Sequence, residues 1–339
     1  MSDQNPAAQQ SLLRCAILSV GSTGKHWTVN RRDLISLVGG AVVAWPLAAR
    51  AQQPVMPLIG LMGSGSAAAQ SHLTAAFLQR LRELGWTEGR NLRIEYRWGE
   101  GRNERFAEIA AEFIRLKVDL ILTHNTSPTL AAKRATSVIP IVFATAGDPV
   151  GTGIVASLAR PGGNITGLSG QAADTAGKRV ELLRDLIPDL RRLAILATDD
   201  SPLAALEADE VQGAARAFGL ETATFEIRRA EDITAAFEAL QGRAQALYVP
   251  ADPIFFVNRI RINIFALTAR LPTMYTVREP VEIGGLISFG PHWPNMWSHA
   301  ADVVDKVLRG AKPADIPVEQ PTKFDFVVNM CSPQSTAHR

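Results

Sequence analysis

VDLILTHNTSPTLAAKRATSVIPIVFATAGDP, residues 118–149, is the stretch that decides the fold. Val118 to Thr123 is an apolar run of strand length, and it opens into the polar group His124-Asn125-Thr126-Ser127. A helix is expected to begin there, with Ser127 as its N-cap and Pro128 at its first position. Ile139 to Ala144 is a second apolar run, ended by Ala146-Gly147-Asp148-Pro149. Strand, helix and strand in about thirty residues make a βαβ unit, whose helix carries the chain between parallel strands.

The same alternation extends in both directions. Upstream, Pro57 to Met62 reads as a buried strand ending at Gly63-Ser64-Gly65-Ser66, and Leu73, Ala76, Phe77, Leu81 and Leu84 recur at helical spacing. Leu92 to Trp98 alternates as a strand, and Phe106, Ile109, Ala110 and Phe113 form a second helical stripe. Downstream, strands are expected at Leu193 to Ala197, Thr222 to Ile227 and Ala246 to Val249, with helices over 203–218 and from Ile233 to Leu240. Pro250-Ala251-Asp252-Pro253 then leads into a helix reaching Arg270. Thr273 to Thr276 and Leu286 to Phe289 read as further strands, and Ala300 to Leu308 as a helix. Two such series imply two parallel sheets covered by helices on both faces, an α/β protein of two lobes. They meet around Asp148 to Gly170, with a second crossing near Tyr275 to Gly290. A ligand belongs in the cleft where the carboxyl ends of the two sets of strands face each other.

Charge and cysteine content narrow the function. The formal net charge is +2, but Arg14, Lys25, Arg31, Arg32 and Arg50 against Asp3 and Asp33 place all of the excess in residues 1–51. The rest is slightly acidic, which argues against a nucleic-acid partner. Of the two cysteines, Cys15 lies in that first segment and Cys331 near the end, so neither a disulfide framework nor a cysteine metal site is expected. Arg31-Arg32-Asp33-Leu34-Ile35 opens a moderately apolar run to Ala49, and Ala49-Arg50-Ala51 precedes the polar Gln52-Gln53. Paired arginines, apolar core and small-x-small ending have the order of a twin-arginine export signal, predicting a periplasmic protein with a leader over 1–51.

Gly147-Asp148-Pro149-Val150-Gly151, the run from Ala156 through Arg160-Pro161-Gly162-Gly163-Asn164 to Gly167, Gly177-Lys178-Arg179-Val180-Glu181-Leu182-Leu183, and the run from Gly310 to Phe324 are long and distinctive. With the leader, they resemble the ABC-transporter substrate-binding proteins of the tryptophan/tyrosine-type family. That resemblance implies a type I periplasmic-binding fold and a monomer working with a membrane permease and ATPase. It also implies a small ligand, an aromatic or hydrophobic amino acid, and no cofactor. The expected division is lobe 1 over 55–165 with a return near 276–300, and lobe 2 over 166–275 with a C-terminal segment over 300–329. Residues 330–339 form an atypical tail, where the family continues with a further segment.

Ligand contacts are expected at the strand ends. Ser64, Gly65 and Ser66 offer hydroxyls and free amides to a carboxylate, and Asn125, Thr126 and Ser127 occupy the corresponding loop two strands on. Asp148 and Asp252 each either pair with a ligand ammonium or simply shape a turn before proline. Tyr275 and Glu279 edge the second lobe's side of the cleft. His124 reads as a loop or core histidine, and Trp293 and Trp297, four apart, as two core-facing side chains of one helix. No GxSxG, HExxH or GxxxxGK[ST] motif is present, so an enzyme is not expected. A receptor-coupled sensor of the same fold and an exported α/β enzyme are the alternative readings.

Overall fold

The computed structural model describes residues 56–198 and 201–332. The leader with its paired arginines lies outside the described residues, as does most of the tail.

The first sheet holds β1 (Leu58–Gly63), β2 (Arg93–Trp98), β3 (Leu120–Thr123), β4 (Ile141–Ala146) and β5 (Ile165–Ser169), all parallel, in the order β2-β1-β3-β4-β5. Helices α1 (Ser71–Glu83), α2 (Asn103–Leu116) and α3 (Thr126–Ala135) connect the first four strands. Every residue of β3 and of β4 is buried, as a parallel strand covered on both faces requires. Successive side chains point to opposite faces. Leu120, Leu122, Val142 and Ala144 therefore join the core beneath α1, while Ile121, Ile141 and Phe143 join that beneath α2 and α3. Gly60 lets α2 seat closely on β1: a Cβ there would stand 2.7 Å from the Phe113 ring.

The second sheet repeats this order and adds one strand. It holds β6 (Arg192–Ala197), β7 (Glu221–Glu226), β8 (Ala246–Val249), β9 (Thr273–Tyr275), β10 (Ile287–Pro291) and β11 (Phe324–Val328), ordered β11-β10-β9-β8-β6-β7. Only the edge pair β10/β11 is antiparallel. Its helices are α4 (Ala176–Leu186), α5 (Pro202–Ala217), α6 (Asp232–Leu240), α7 (Pro253–Val257), α8 (Arg259–Thr268) and α9 (Glu279–Glu282). No helix among the described residues is long and apolar enough to cross a membrane.

The exchange of segments between the sheets differs from the expected limits. All of β5 after Ile165 lies beyond the expected boundary, yet the strand pairs with β4 in the first sheet. β10, inside the expected return over 276–300, stays in the second sheet beside β9. Helix α10 (Trp293–Leu308) then leaves as a unit for the first, burying Met296, Trp297, Ala300, Val303 and Val304 against Phe77 and Ile59. Ile316 to Glu319 stays there too, since Ile316 O accepts from Thr166 Oγ1 at 2.7 Å and Glu319 N donates to Gly167 O at 3.0 Å. Only β11 goes back. The strand and helix periods were readable in the sequence; the choice of sheet rests on hydrogen bonds between residues about 150 apart, which no local period encodes.

Candidate ligand-binding cleft

Both sheets direct their carboxyl ends at one cleft. The turns after β3, β4 and β5 bring Asn125, Gly147 and Gly170 to it, and those after β8 and β9 bring Ala251 and Thr276. Trp293, the first residue of α10, closes one side. Two adjoining chambers share Asn125, Ala251, Thr276, Val277 and Trp293. The first is walled by rings: Trp293 and Phe256 lie 5.8 Å apart at 40°, joined by Phe255 and Tyr275, with Asp252 as its one acidic group. The second, the polar chamber below, sets His124, Thr145 and Arg179 in an otherwise mainly apolar wall and has no carboxylate in its lining.

Three of the expected contacts line these chambers. Asn125 faces both. Its backbone, at φ 82 and ψ 164, occupies a region that is almost exclusively glycine's, a strain of about 1–3 kcal/mol that collects at functional sites. Asn125 rather than Ser127 is the N-cap of α3: its Oδ1 accepts from Thr126 N at 2.7 Å, which leaves the amide nitrogen for other partners. Asp252 caps α7, its Oδ1 accepting from Ile254 N at 3.0 Å, and lines the aromatic chamber. Tyr275 contributes its ring alone, because its hydroxyl donates to Asn263 Oδ1 at 2.6 Å and burial holds its pKa well above the ordinary phenol range.

The other expected contacts are engaged elsewhere. Gly65 N donates to Gln70 Oε1 at 3.1 Å, Ser66 Oγ accepts from Ala69 N, and Ser64 Oγ lies 3.2 Å from His124 Nδ1. The loop after β1 thus has no free amide for a carboxylate at Gly65; it supports His124 from behind. Thr126 Oγ1 accepts from Gly147 N, and Ser127 sits in the first turn of α3. Asp148 takes its turn-forming role, with Oδ1 accepting from Val150 N and Gly151 N at 3.2 and 2.8 Å. Glu279 meets His72 of α1 at 3.4 Å, a contact between the two lobes at the rim of the cleft.

Sequence reasoning did not place Phe256 or Arg179 at the cleft and took Trp293 as core-facing, whereas His124 is the core histidine expected and also forms part of the cleft wall. The pair Trp293 and Trp297 divides: Trp297 is fully buried in the first core, whereas Trp293, one turn earlier, faces the cleft. The start of a helix directly after a sheet crossing was the available signal. His124 is 1% exposed, its ring edge-on to Trp293 at 4.9 Å and tilted against Trp297 at 5.2 Å. Burial, with the nearby His72 charge, pushes its pKa down to about 3, so it is neutral at physiological pH.

The lobes meet closely enough that a glycine is required where they touch. A Cβ on Gly147, after β4, would lie 2.3 Å from Leu203 of α5. Gly147→Val is expected to prop the lobes apart. Small-angle scattering would read this as a larger radius of gyration at saturating ligand than in the wild type; an unchanged radius would show that Leu203 simply moves aside.

Comparison with known proteins places this geometry. The chain is 26% identical over 253 residues, 75% of its own length and 73% of the relative's, to a tyrosine-binding protein of Clostridioides difficile. A solved structure from Streptococcus pneumonia in complex with L-Trp superposes with a TM-score of 0.75 at 24% identity, covering 80% of this chain and 91% of that one. The ligand-free, open form of an adhesive substrate-binding protein from Clostridium difficile reaches 0.59 at 25% identity, covering 81% and 92%. Residues 66–336 match the family described as ABC transporter substrate binding protein. This chain therefore belongs to that family of two-lobed, type I periplasmic-binding proteins, which bind solutes and are not enzymes.

Proposed function

We infer that this protein captures an aromatic or other hydrophobic amino acid between its lobes and delivers it to an ABC permease and ATPase. The observation that carries this reading is the pairing of the two chambers. One is walled by Trp293, Phe256 and Tyr275, as a ring-bearing side chain needs; the other adds His124 and Thr145 to the shared Asn125 and Thr276 for the small polar end of the ligand. A few polar groups in an otherwise apolar concavity is the usual form of a small-molecule site. The tyrosine-binding relative and the L-Trp complex support the ligand class. Closure then follows from contacts that the second lobe makes only when the ligand is already held by the first. The protein works as a monomer, and the paired arginines at Arg31-Arg32 route it through twin-arginine export to the periplasm, with the leader ending near Ala51.

Thermal unfolding of the full chain with each of the twenty amino acids tests the ligand class, since a ligand bound only by the folded state raises the melting temperature by mass action. A shift with L-tryptophan, L-tyrosine or L-phenylalanine is expected; no shift with any of them overturns the reading. Trp293→Ala is expected to weaken the bound amino acid about 30-fold or more, the usual scale for a buried aromatic anchor. Calorimetric titration checks it, and an affinity within twofold of wild type would remove Trp293 from the site. Export is tested separately: replacing both arginines with lysine should leave uncleaved precursor in the cytoplasm.

A further inference from the structure

His124 lies under the polar chamber with its hydrogen bonding half complete. Gln70, itself fully buried, fixes which half. Gly65 N donates to Gln70 Oε1 at 3.1 Å, so the other end of that amide, the Nε2–H₂ donor, is the group meeting His124 Nδ1 in a short contact. A nitrogen that accepts from an amide carries no proton, and a neutral imidazole must then carry its proton on Nε2. Nε2 is buried and has no hydrogen-bond partner among the described residues. Its ring neighbour Trp297 offers nothing, because Trp297 Nε1–H is another donor without a partner. An unsatisfied buried donor is costly, and His124 forms part of the chamber wall.

We propose that His124 is a ligand-binding residue whose Nε2–H, fixed as a neutral donor by Gln70, hydrogen-bonds a carboxylate oxygen of the ligand. This rests on the amino-acid reading above and goes beyond it by orienting the ligand: carboxylate in the polar chamber, side chain between Trp293 and Phe256. The chamber favours that orientation. Arg179 borders it and no acidic side chain does, whereas Asp252 lies on the aromatic side. Because Glu207 already pairs with Arg179 at 3.1 Å, the site presents oriented donors more than net positive charge. A neutral imidazole donor suits such a place, since it adds no buried cation to be desolvated.

Titration calorimetry on the full chain compares wild type with His124→Phe, which keeps a ring between the two tryptophans but has no N–H. The probes are L-tryptophan, L-tyrosine and L-phenylalanine, with tryptamine and tyramine as analogues lacking the carboxylate. The expected result is a loss of about 10- to 100-fold for whichever amino acids the wild type binds. The amines should bind the wild type more weakly than the amino acids and should not be weakened further by the substitution. Since His124→Phe alters a buried core position, ¹⁵N-histidine NMR of the wild type gives a second readout. It should find Nδ1 bare, Nε2 protonated, and the Nε2 resonance displaced on saturation with L-tryptophan or L-tyrosine. Equal affinity of wild type and variant, a protonated Nδ1, or an Nε2 signal indifferent to ligand overturns the role of His124 while leaving the amino-acid reading intact. A wild-type chain that binds none of the three amino acids takes down that reading, and this one with it.

Discussion

Arg179→Met is expected to cost about 3–5 kcal/mol of stability, the scale for stripping one partner from a buried ion pair. The Arg179 and Glu207 side chains are 1% and 0% exposed, with Nη1 and Oε1 3.1 Å apart. Glu207 also accepts from the Tyr248 hydroxyl at 2.6 Å and from Ala251 N at 3.1 Å. Arg179 donates besides to Phe289 O, Ala172 O and Thr175 Oγ1 at 2.7, 2.9 and 2.8 Å. Without the guanidinium, a carboxylate remains in a site where burial alone already pushes its pKa upward. The sign of the pH dependence follows. In the variant, the folded-state pKa of Glu207 lies above its unfolded value, so the deficit is largest at neutral pH and shrinks as the pH falls and Glu207 takes a proton. Urea unfolding at pH 7 and at pH 5 measures both effects. Arg179→Met combined with Glu207→Gln should recover much of the loss, because no lone charge is left buried. A deficit below about 1 kcal/mol at pH 7 would mean that water reaches the pair.

This pair also reaches the cleft. Ala251 lies in both chamber walls and hangs from Glu207, while Ala172 and Thr175 sit on the crossing between the lobes. The single arginine therefore fixes one wall of the cleft and one end of a connection about which the lobes would move. Positioning by a rigid supporting shell is a general requirement of precise sites.

What was legible in the sequence follows from how locally each feature is determined. Val118 to Thr123 and Ile139 to Ala144 gave β3 and β4 because a strand buried on both faces is apolar throughout. Asn125, Asp252 and Tyr275 could be named as candidates because they stand at or just past strand ends, where such folds bind, and all three line the cleft. Asp148 remained undecided in sequence, since the same carboxylate that could meet an ammonium also closes the turn to Gly151. The donors of Ser64, Gly65 and Ser66 look free in sequence; Gln70, a few residues on, takes the Gly65 amide and meets His124. Arg179 was visible only as part of a family motif. Its partners Glu207, Tyr248 and Phe289 come from three other elements of the second sheet's layers, and a relation among four distant positions has no signature in one sequence.

The second large effect is a loss of stability in acid that traces to His124. Its pKa is 6.5 in the unfolded chain and about 3 in the folded one. Between these values the unfolded state binds a proton that the folded state does not, so folding weakens as the pH falls through that window. The slope approaches 1.4 kcal/mol per pH unit. About 2 kcal/mol should be gone by pH 5, and about 5 kcal/mol at the lower limit, before any carboxylate contributes. Half-buried pairs such as Arg97 with Glu112, which hold that carboxyl low, add their own losses near the bottom of the range. Subtracting His124→Phe isolates the histidine, because that variant keeps the carboxylates and lacks the titrating ring. Urea titrations of both proteins at half-unit steps from pH 8 to pH 4 should therefore diverge below about pH 6.5, with the wild type falling faster. Parallel curves would show that His124 takes up a proton in the folded protein, by way of water or a movement of Gln70. The neutral donor would then become a cation at the ligand's end of the cleft, and affinity for a carboxylate would rise with acidity rather than stay level. Level affinity from pH 8 to pH 5 is the outcome expected of an imidazole that never gains its second proton.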